Sequence, residues 1–249
     1  MVQWRNTNDP IQKFLRVFLM GSTRSGKTLG ASTFPRPIFI VPPSEDSWKS
    51  LTGMGFPYVV LGETNPKQVL TDLRSVLDAM KVAAGEAHAK KNPALFHERF
   101  GETVVVESLS HLGDAILTQI TDSGRVQADR ATWGVIRAHL LNLRDVVFSF
   151  PAHVVFTALT QIKTDEKGNV VSAGPRISGQ AAELIPSSCD LVGITEQTAG
   201  VPPRWQVHFQ RFGPYDGGSR LRGMGACSMV CGDGKTTASL WQQLEPFTR

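Results

Sequence analysis

The sequence predicts an α/β fold, a mostly parallel central sheet flanked by helices, with a β extension towards the C-terminus. Three observations carry this. Short runs such as Pro37-Ile38-Phe39-Ile40-Val41 and Thr103-Val104-Val105-Val106 are apolar without alternation, as strands buried on both faces are. Stretches with helical apolar spacing lie between such runs. The first strand, over residues 13–20, runs straight into Gly21-Ser22-Thr23-Arg24-Ser25-Gly26-Lys27-Thr28, which fits G-x-x-x-x-G-K-[ST] without a mismatch.

Chemistry explains the spacing. Its glycines let the backbone curl until successive N–H groups point at one phosphate. Lys27 reaches the β- and γ-phosphates, and the Thr28 hydroxyl is placed to ligate Mg²⁺. The helix that follows, cut short at Phe34-Pro35, aims its positive dipole end at the same anion.

The chain has 249 residues, 41% hydrophobic and 19% charged, with net charge +4 and pI about 9.1. That is enough for a sizeable core, and the mild basicity permits an anionic partner without demanding one. No run of about 18 apolar residues is present, so no membrane span is expected. Residues 1–10 are polar with no apolar signal core, and three cysteines make an odd number, so a reducing cytoplasm is expected. Cys227-x-x-x-Cys231 has half the ligands of a metal site; without a second pair, ordinary thiols are the expectation. Residues 1–12 read as a lead-in and 13–249 as one domain.

After the second strand comes Ser44-Glu45-Asp46-Ser47. In open parallel sheets ligands sit beyond the carboxyl ends of the strands. Glu45 is therefore either a group that polarises an attacking water or part of a cap on a short helix holding Trp48 and Leu51. Tyr58-Val59-Val60-Leu61 is the next strand, and Val69, Leu70, Leu73, Val76, Leu77 and Met80 line one face of a helix. Residues 85–100 are polar and read as an exposed connection with His88 and His97 solvated.

The strand at 103–106 ends in Glu107, which either holds Mg²⁺ or caps the following helix. Residues 121–130 are turn-rich. Residues 133–148 read as an amphipathic helix with Val135, Ile136, Leu140, Leu143, Val146 and Val147 as its apolar set. The strand over 153–160 ends at Gln161, either a γ-phosphate sensor or a plain polar strand end. Residues 163–176 read as a β-hairpin turning at Lys167-Gly168-Asn169 or as a mobile loop. Strands follow over 190–195 and 205–210. Arg220 and Arg222, two apart on an extended segment, point the same way, towards an anion or as a solvated edge.

This order of phosphate loop, Glu45, Val104-Val105-Val106-Glu107-Ser108-Leu109 and Val154-Val155-Phe156-Thr157-Ala158-Leu159-Thr160-Gln161 resembles the RecA-type P-loop ATPase core. With Pro175-Arg176-Ile177-Ser178-Gly179 leading to Cys189-Asp190-Leu191-Val192, it is most similar to small phage proteins of that core that act as single-strand annealing recombinases. The resemblance spans roughly residues 13–225. It implies an ATPase using ATP and Mg²⁺, with Glu45 as catalytic glutamate, Glu107 in the place of the metal-associated Asp, and Gln161 linking the γ-phosphate to DNA. It implies two DNA-facing loops, 121–131 with Arg125 and Arg130, and 163–178 with Lys163, Lys167 and Arg176. Arg220 and Arg222 would reach a neighbouring subunit's nucleotide in a ring or filament. Single-stranded DNA, a homo-oligomer and a single-strand-binding protein are the implied partners. Three other functions fit the same loop: another motor or regulatory ATPase (a helicase accessory or packaging factor), a small-molecule kinase, and a nucleotide-stabilised assembly protein without turnover.

Overall fold

The computed structural model describes residues 14–199, 204–225, 228–232 and 239–248. The expected lead-in over residues 1–12 and Cys227 lie outside them. Of Cys231 only the backbone is described.

Six strands form the parallel heart of the sheet: β1 (Arg16–Gly21), β2 (Pro37–Val41), β3 (Tyr58–Val60), β4 (Thr103–Val106), β5 (His153–Thr164) and β7 (Leu191–Thr198). Between β5 and β7 in sequence comes β6 (Val170–Pro175), and after β7 come β8 (Arg204–His208), β9 (Gly218–Ser219) and β10 (Ser228–Gly232). The order across the sheet is β10-β8-β7-β1-β5-β4-β2-β3. β6 pairs antiparallel with the outer half of β5, while β8 and β10 form the antiparallel C-terminal extension. β5 lies between β1 and β4, with Val17 opposite Val155 and Val105 opposite Val155 on the other side.

The strands alternate between two cores, as a period of two requires. Phe18, Met20, Val104, Val106, Val154 and Phe156 point to one face. There they meet α2 (Val69–Ala89), α3 (Ala94–Phe100), α4 (Leu109–Ile120), α5 (Arg130–Val147) and α6 (Ala181–Leu184). Val17, Leu19, Phe39, Val105 and Val155 point to the other, onto α1 (Lys27–Ser32) and α7 (Leu240–Leu244). At the amino end of β5 on that side, the His153 ring lies 4.6 Å from Trp241 and its Nδ1 accepts the Leu15 N–H at 3.0 Å.

Several expectations are corrected. Residues 85–100 are not an exposed connection: α2 continues to Ala89, and α3 buries Phe96 completely against Phe150. Single polar residues in a helix give no loop signal once an apolar stripe (Met80, Ala83, Ala84, Ala87) continues beneath them. His97 is half-buried, its Nε2 2.6 Å from the Pro151 carbonyl, and His88 reaches the Ser149 carbonyl at 3.0 Å. α5 starts at Arg130, because Asp129 and Thr132 form a reciprocal capping box. Arg130 is thus the first residue of a helix rather than part of a loop. Val135 is exposed, leaving Ile136, Leu140, Leu143 and Val147 as the buried set. Of the two readings of residues 163–176 the hairpin is found, its turn held by Asp165, whose carboxylate accepts the N–H groups of Lys167 and Asn169.

Candidate functional site

Three parallel strands deliver their carboxyl ends to one place. β1 ends at Gly21 and opens the glycine loop, β2 leads to Glu45, and β4 leads to Glu107. The loop turns through residues with positive φ, Arg24 at 63° and Gly26 at 91°. Gly26 suits this turn: a side chain there would have to adopt the left-handed φ, and its Cβ would stand 2.6 Å from Trp205 Cδ1. Gly21 is pressed as closely, since a Cβ on it would meet Thr195 Oγ1 at 2.2 Å and Ser25 Oγ at 2.4 Å.

Lys27 is buried, and its ammonium donates to the Gly21 carbonyl at 3.1 Å and the Ser22 carbonyl at 2.7 Å. Burial lowers its pKa, and the negative charges of Glu107 and Glu45 oppose that shift. The Thr28 hydroxyl donates to Glu107 Oε1 at 3.0 Å, and Glu107 is 1% exposed. The cap of α4 is Ser108, whose side chain receives the His111 N–H, so Glu107 stands against the phosphate loop and not in the capping position. Glu45 is likewise not a cap: Asp46 holds the capping position of the 3₁₀ turn Ser47–Leu51, without a side-chain capping bond. The Glu45 carboxylate lies 2.5 Å from His111 Nδ1 and accepts the Ser108 hydroxyl at 3.4 Å.

The residues fit a nucleotide phosphate and its metal. Thr28 and Glu107 are paired hard-oxygen donors in a buried place, the type Mg²⁺ prefers. The loop leaves no room for a Cβ at Gly21 or Gly26, so its backbone is the lining. Among the described residues no cluster of three or more His, Cys, Asp or Glu side chains forms a separate metal site. No helix among them is long and apolar enough to cross a membrane.

The remaining sequence candidates lie elsewhere. Gln161, at the strand's half-exposed section, donates to the Pro175 carbonyl at 3.3 Å and lines a cleft with Lys163 and Arg176. Arg125 pairs with Asp122 at 3.2 Å in the turn before α5, and Arg130 and Lys167 are exposed. Arg220 and Arg222 do not share an extended segment, because β9 ends at Ser219 and Met224 N–H closes a turn on the Leu221 carbonyl. Arg220 donates from its backbone to Asp190 and from its guanidinium to the Ser187 carbonyl. Asp190 in turn accepts the N–H of Arg16, the first residue of β1. Arg220 is therefore tied to the amino end of β1, a strand's length of about 16 Å from Gly21 at the usual rise.

Tertiary folding also recruits residues that no local signal marks. Ser25 Oγ lies 2.6 Å from Thr195 Oγ1 on β7, and Trp205 Nε1 on β8 donates to the Arg24 carbonyl at 3.1 Å. Both come from more than 150 residues away and brace the loop. His111 was an ordinary helix residue in sequence; its spacing of three from Ser108 is visible only once the Ser108 cap is known.

A glycine loop with a buried lysine, a Thr–Glu pair and a strand interposed between β1 and β4 defines a P-loop nucleoside triphosphatase core of RecA-like layout. A family model described as an AAA domain matches residues 13–221, and the chain belongs to that family. Nothing matches among curated proteins. Among solved structures, the chain is similar to a KaiC-like protein from the hyperthermophilic archaeon Pyrococcus horikoshii OT3. The two are 13% identical over 88% of this chain and 86% of that one, with a TM-score of 0.48.

Proposed function

We propose that the protein hydrolyses ATP with Mg²⁺ and couples this to binding single-stranded DNA in a recombination or annealing role, as the resemblance to phage recombinases implies. One observation carries the hydrolytic part: Lys27, Thr28, Glu107 and Glu45 converge beyond the carboxyl ends of β1, β4 and β2. In this reading Lys27 leaves its loop carbonyls for the phosphate oxygens. Thr28 and Glu107 would hold the metal, which when bound would supply positive charge to offset that on the transferring phosphoryl group. Glu45 accepts a proton from the attacking water, and His111 fixes the orientation of its carboxylate. Trp205 and Thr195 hold the loop in its curled form, so little reorganisation remains when phosphate arrives.

The DNA part rests on the resemblance and on Lys163 and Arg176 beside Gln161. α4 supports coupling: Ser108 and His111 at its start touch Glu45, while Gly113 and Asp114 line the cleft. A ring or filament in the host cytoplasm belongs to the same proposal, with a neighbour's Arg220 and Arg222 completing the site after Arg220 leaves Ser187. A single-strand-binding protein is the further partner. A second reading, a regulatory or assembly ATPase without DNA, is favoured by the pairing of Arg125 and Arg176 with aspartates, which reduces the basic character of both segments.

ATP turnover measured with and without single-stranded DNA, in wild type and Lys27→Ala, separates them. DNA-stimulated turnover that falls by about 100-fold or more in the variant supports the proposal. Turnover indifferent to DNA supports the regulatory reading, and full activity in Lys27→Ala refutes both.

A further inference from the structure

The cleft beside Gln161 holds a residue that the nucleotide site does not use. It is about 260 Å³, lined by Ser110, Asp114, Trp133, Lys163, Arg176 and Ile177 among others. Trp133 lies in the first turn of α5, one turn before the buried Ile136, and keeps 42% of its surface exposed. The apolar stripe of α5 thus continues beyond the core and ends in an indole facing the cleft. A tryptophan left this open in a cleft that also holds two cations offers a ring face suited to stacking.

Arg176 is not simply available. Its guanidinium meets Asp114 Oδ2 at 2.9 Å, with both side chains substantially exposed. Such a surface pair is worth little by itself, so a phosphate displaces the carboxylate readily. Lys163, on the outer part of β5, lines the same cleft with its side chain exposed.

We propose that this cleft holds one nucleotide unit of single-stranded DNA, its base stacked on Trp133 and its phosphate on Arg176, with Asp114 as the internal counterion that the phosphate replaces. The inference rests on the DNA-binding reading above and adds how the strand is held. A stack on an aromatic face reads no sequence, so binding tolerates any base but requires that a base be there. Asp114 lies on α4, the helix that also carries His111 beside Glu45.

The test compares a homopolymeric thymidine strand with an abasic strand of the same length, binding to wild type, Trp133→Ala, Trp133→Phe and Asp114→Asn. Nucleotide binding by each variant serves as the folding control. In wild type the base-bearing strand should bind about tenfold more tightly than the abasic one. Trp133→Ala should lose that difference while binding the abasic strand as before, and Trp133→Phe should keep most of it. Asp114→Asn should tighten binding of both strands, by about threefold, since exposed pairs are worth roughly 0.2–1 kcal/mol. Strong DNA binding with an undiminished base preference in Trp133→Ala would overturn the inference and leave DNA binding standing. No binding of either strand by wild type would overturn the DNA reading and the inference together.

Discussion

The phosphate loop and the hairpin cleft lie at the same carboxyl edge of the sheet, yet they are built in opposite ways. Around the loop, Lys27, Thr28, Ser25 and Glu107 are all buried, and each bonds to a group that the fold holds still. Around the cleft, Lys163 and Arg176 are exposed, and Arg176 pairs with Asp114 on the surface. Strand β5 passes from one regime into the other: its first six residues are buried and its last three are exposed. The difference teaches where chemistry and recognition separate. Buried polar groups are costly unless satisfied, so they admit few arrangements and hold geometry. Exposed charges cost little, hold little, and leave room for an extended partner.

Four changes test this contrast, beginning with the largest effect. Glu45→Gln should lower turnover by about 10²–10⁴-fold while nucleotide affinity stays close to wild type, read by single-turnover hydrolysis and fluorescent-nucleotide titration. A parallel loss of affinity would mean that Glu45 shapes the loop instead of the reaction. Gly26→Ala should weaken nucleotide binding severely and cost about 1–3 kcal/mol of stability in denaturant unfolding, because alanine must adopt a φ of 91° against Trp205. A neutral result would show that Trp205 moves aside at little cost.

The buried end of β5 gives the third test. Burial, with the charge of His97 beside it, pushes His153 down to about 4 from its ordinary 6.5. The unfolded chain takes up a proton near 6.5 and the folded protein only near 4. Stability therefore falls as pH drops through that window, by about 3 kcal/mol at most, and levels off below it. His153→Gln, which can still accept the Leu15 N–H, should flatten this slope in pH-dependent unfolding. An unchanged slope would assign it to other groups. The smallest effect belongs to the exposed end: Lys163→Ala with Lys167→Ala should leave stability within about 0.5 kcal/mol. If DNA binds there, the pair should reduce the salt slope of binding by roughly 0.7 per lost contact. A large loss of stability would show that the hairpin is part of the core.

Legibility in the sequence follows the same division. The glycine loop could be read because its specified positions, Gly21, Gly26, Lys27 and Thr28, each answer to a local demand of phosphate binding. β2, β4 and β5 could be read because a strand buried on both faces is a near-continuous apolar run. The helix over residues 94–100 was missed because seven residues with three charged or histidine side chains show too few turns for a period to emerge. Arg220 and Arg222 were expected to point together because alternation was assumed to continue past a strand that stops at Ser219.

The sequence by itself thus determined the α/β layout, the phosphate loop and the two acids that follow β2 and β4. These are consequences of spacing over a few residues, which the chain carries wherever it goes. Only the tertiary structure decided that Glu107 faces Thr28, that His111 orients Glu45, that Trp205 and Thr195 brace the loop, and that Trp133 shares a cleft with Arg176. Those pairs are separated by tens to nearly two hundred residues. Their meeting depends on strand order and helix packing summed over the whole chain, which no local pattern encodes.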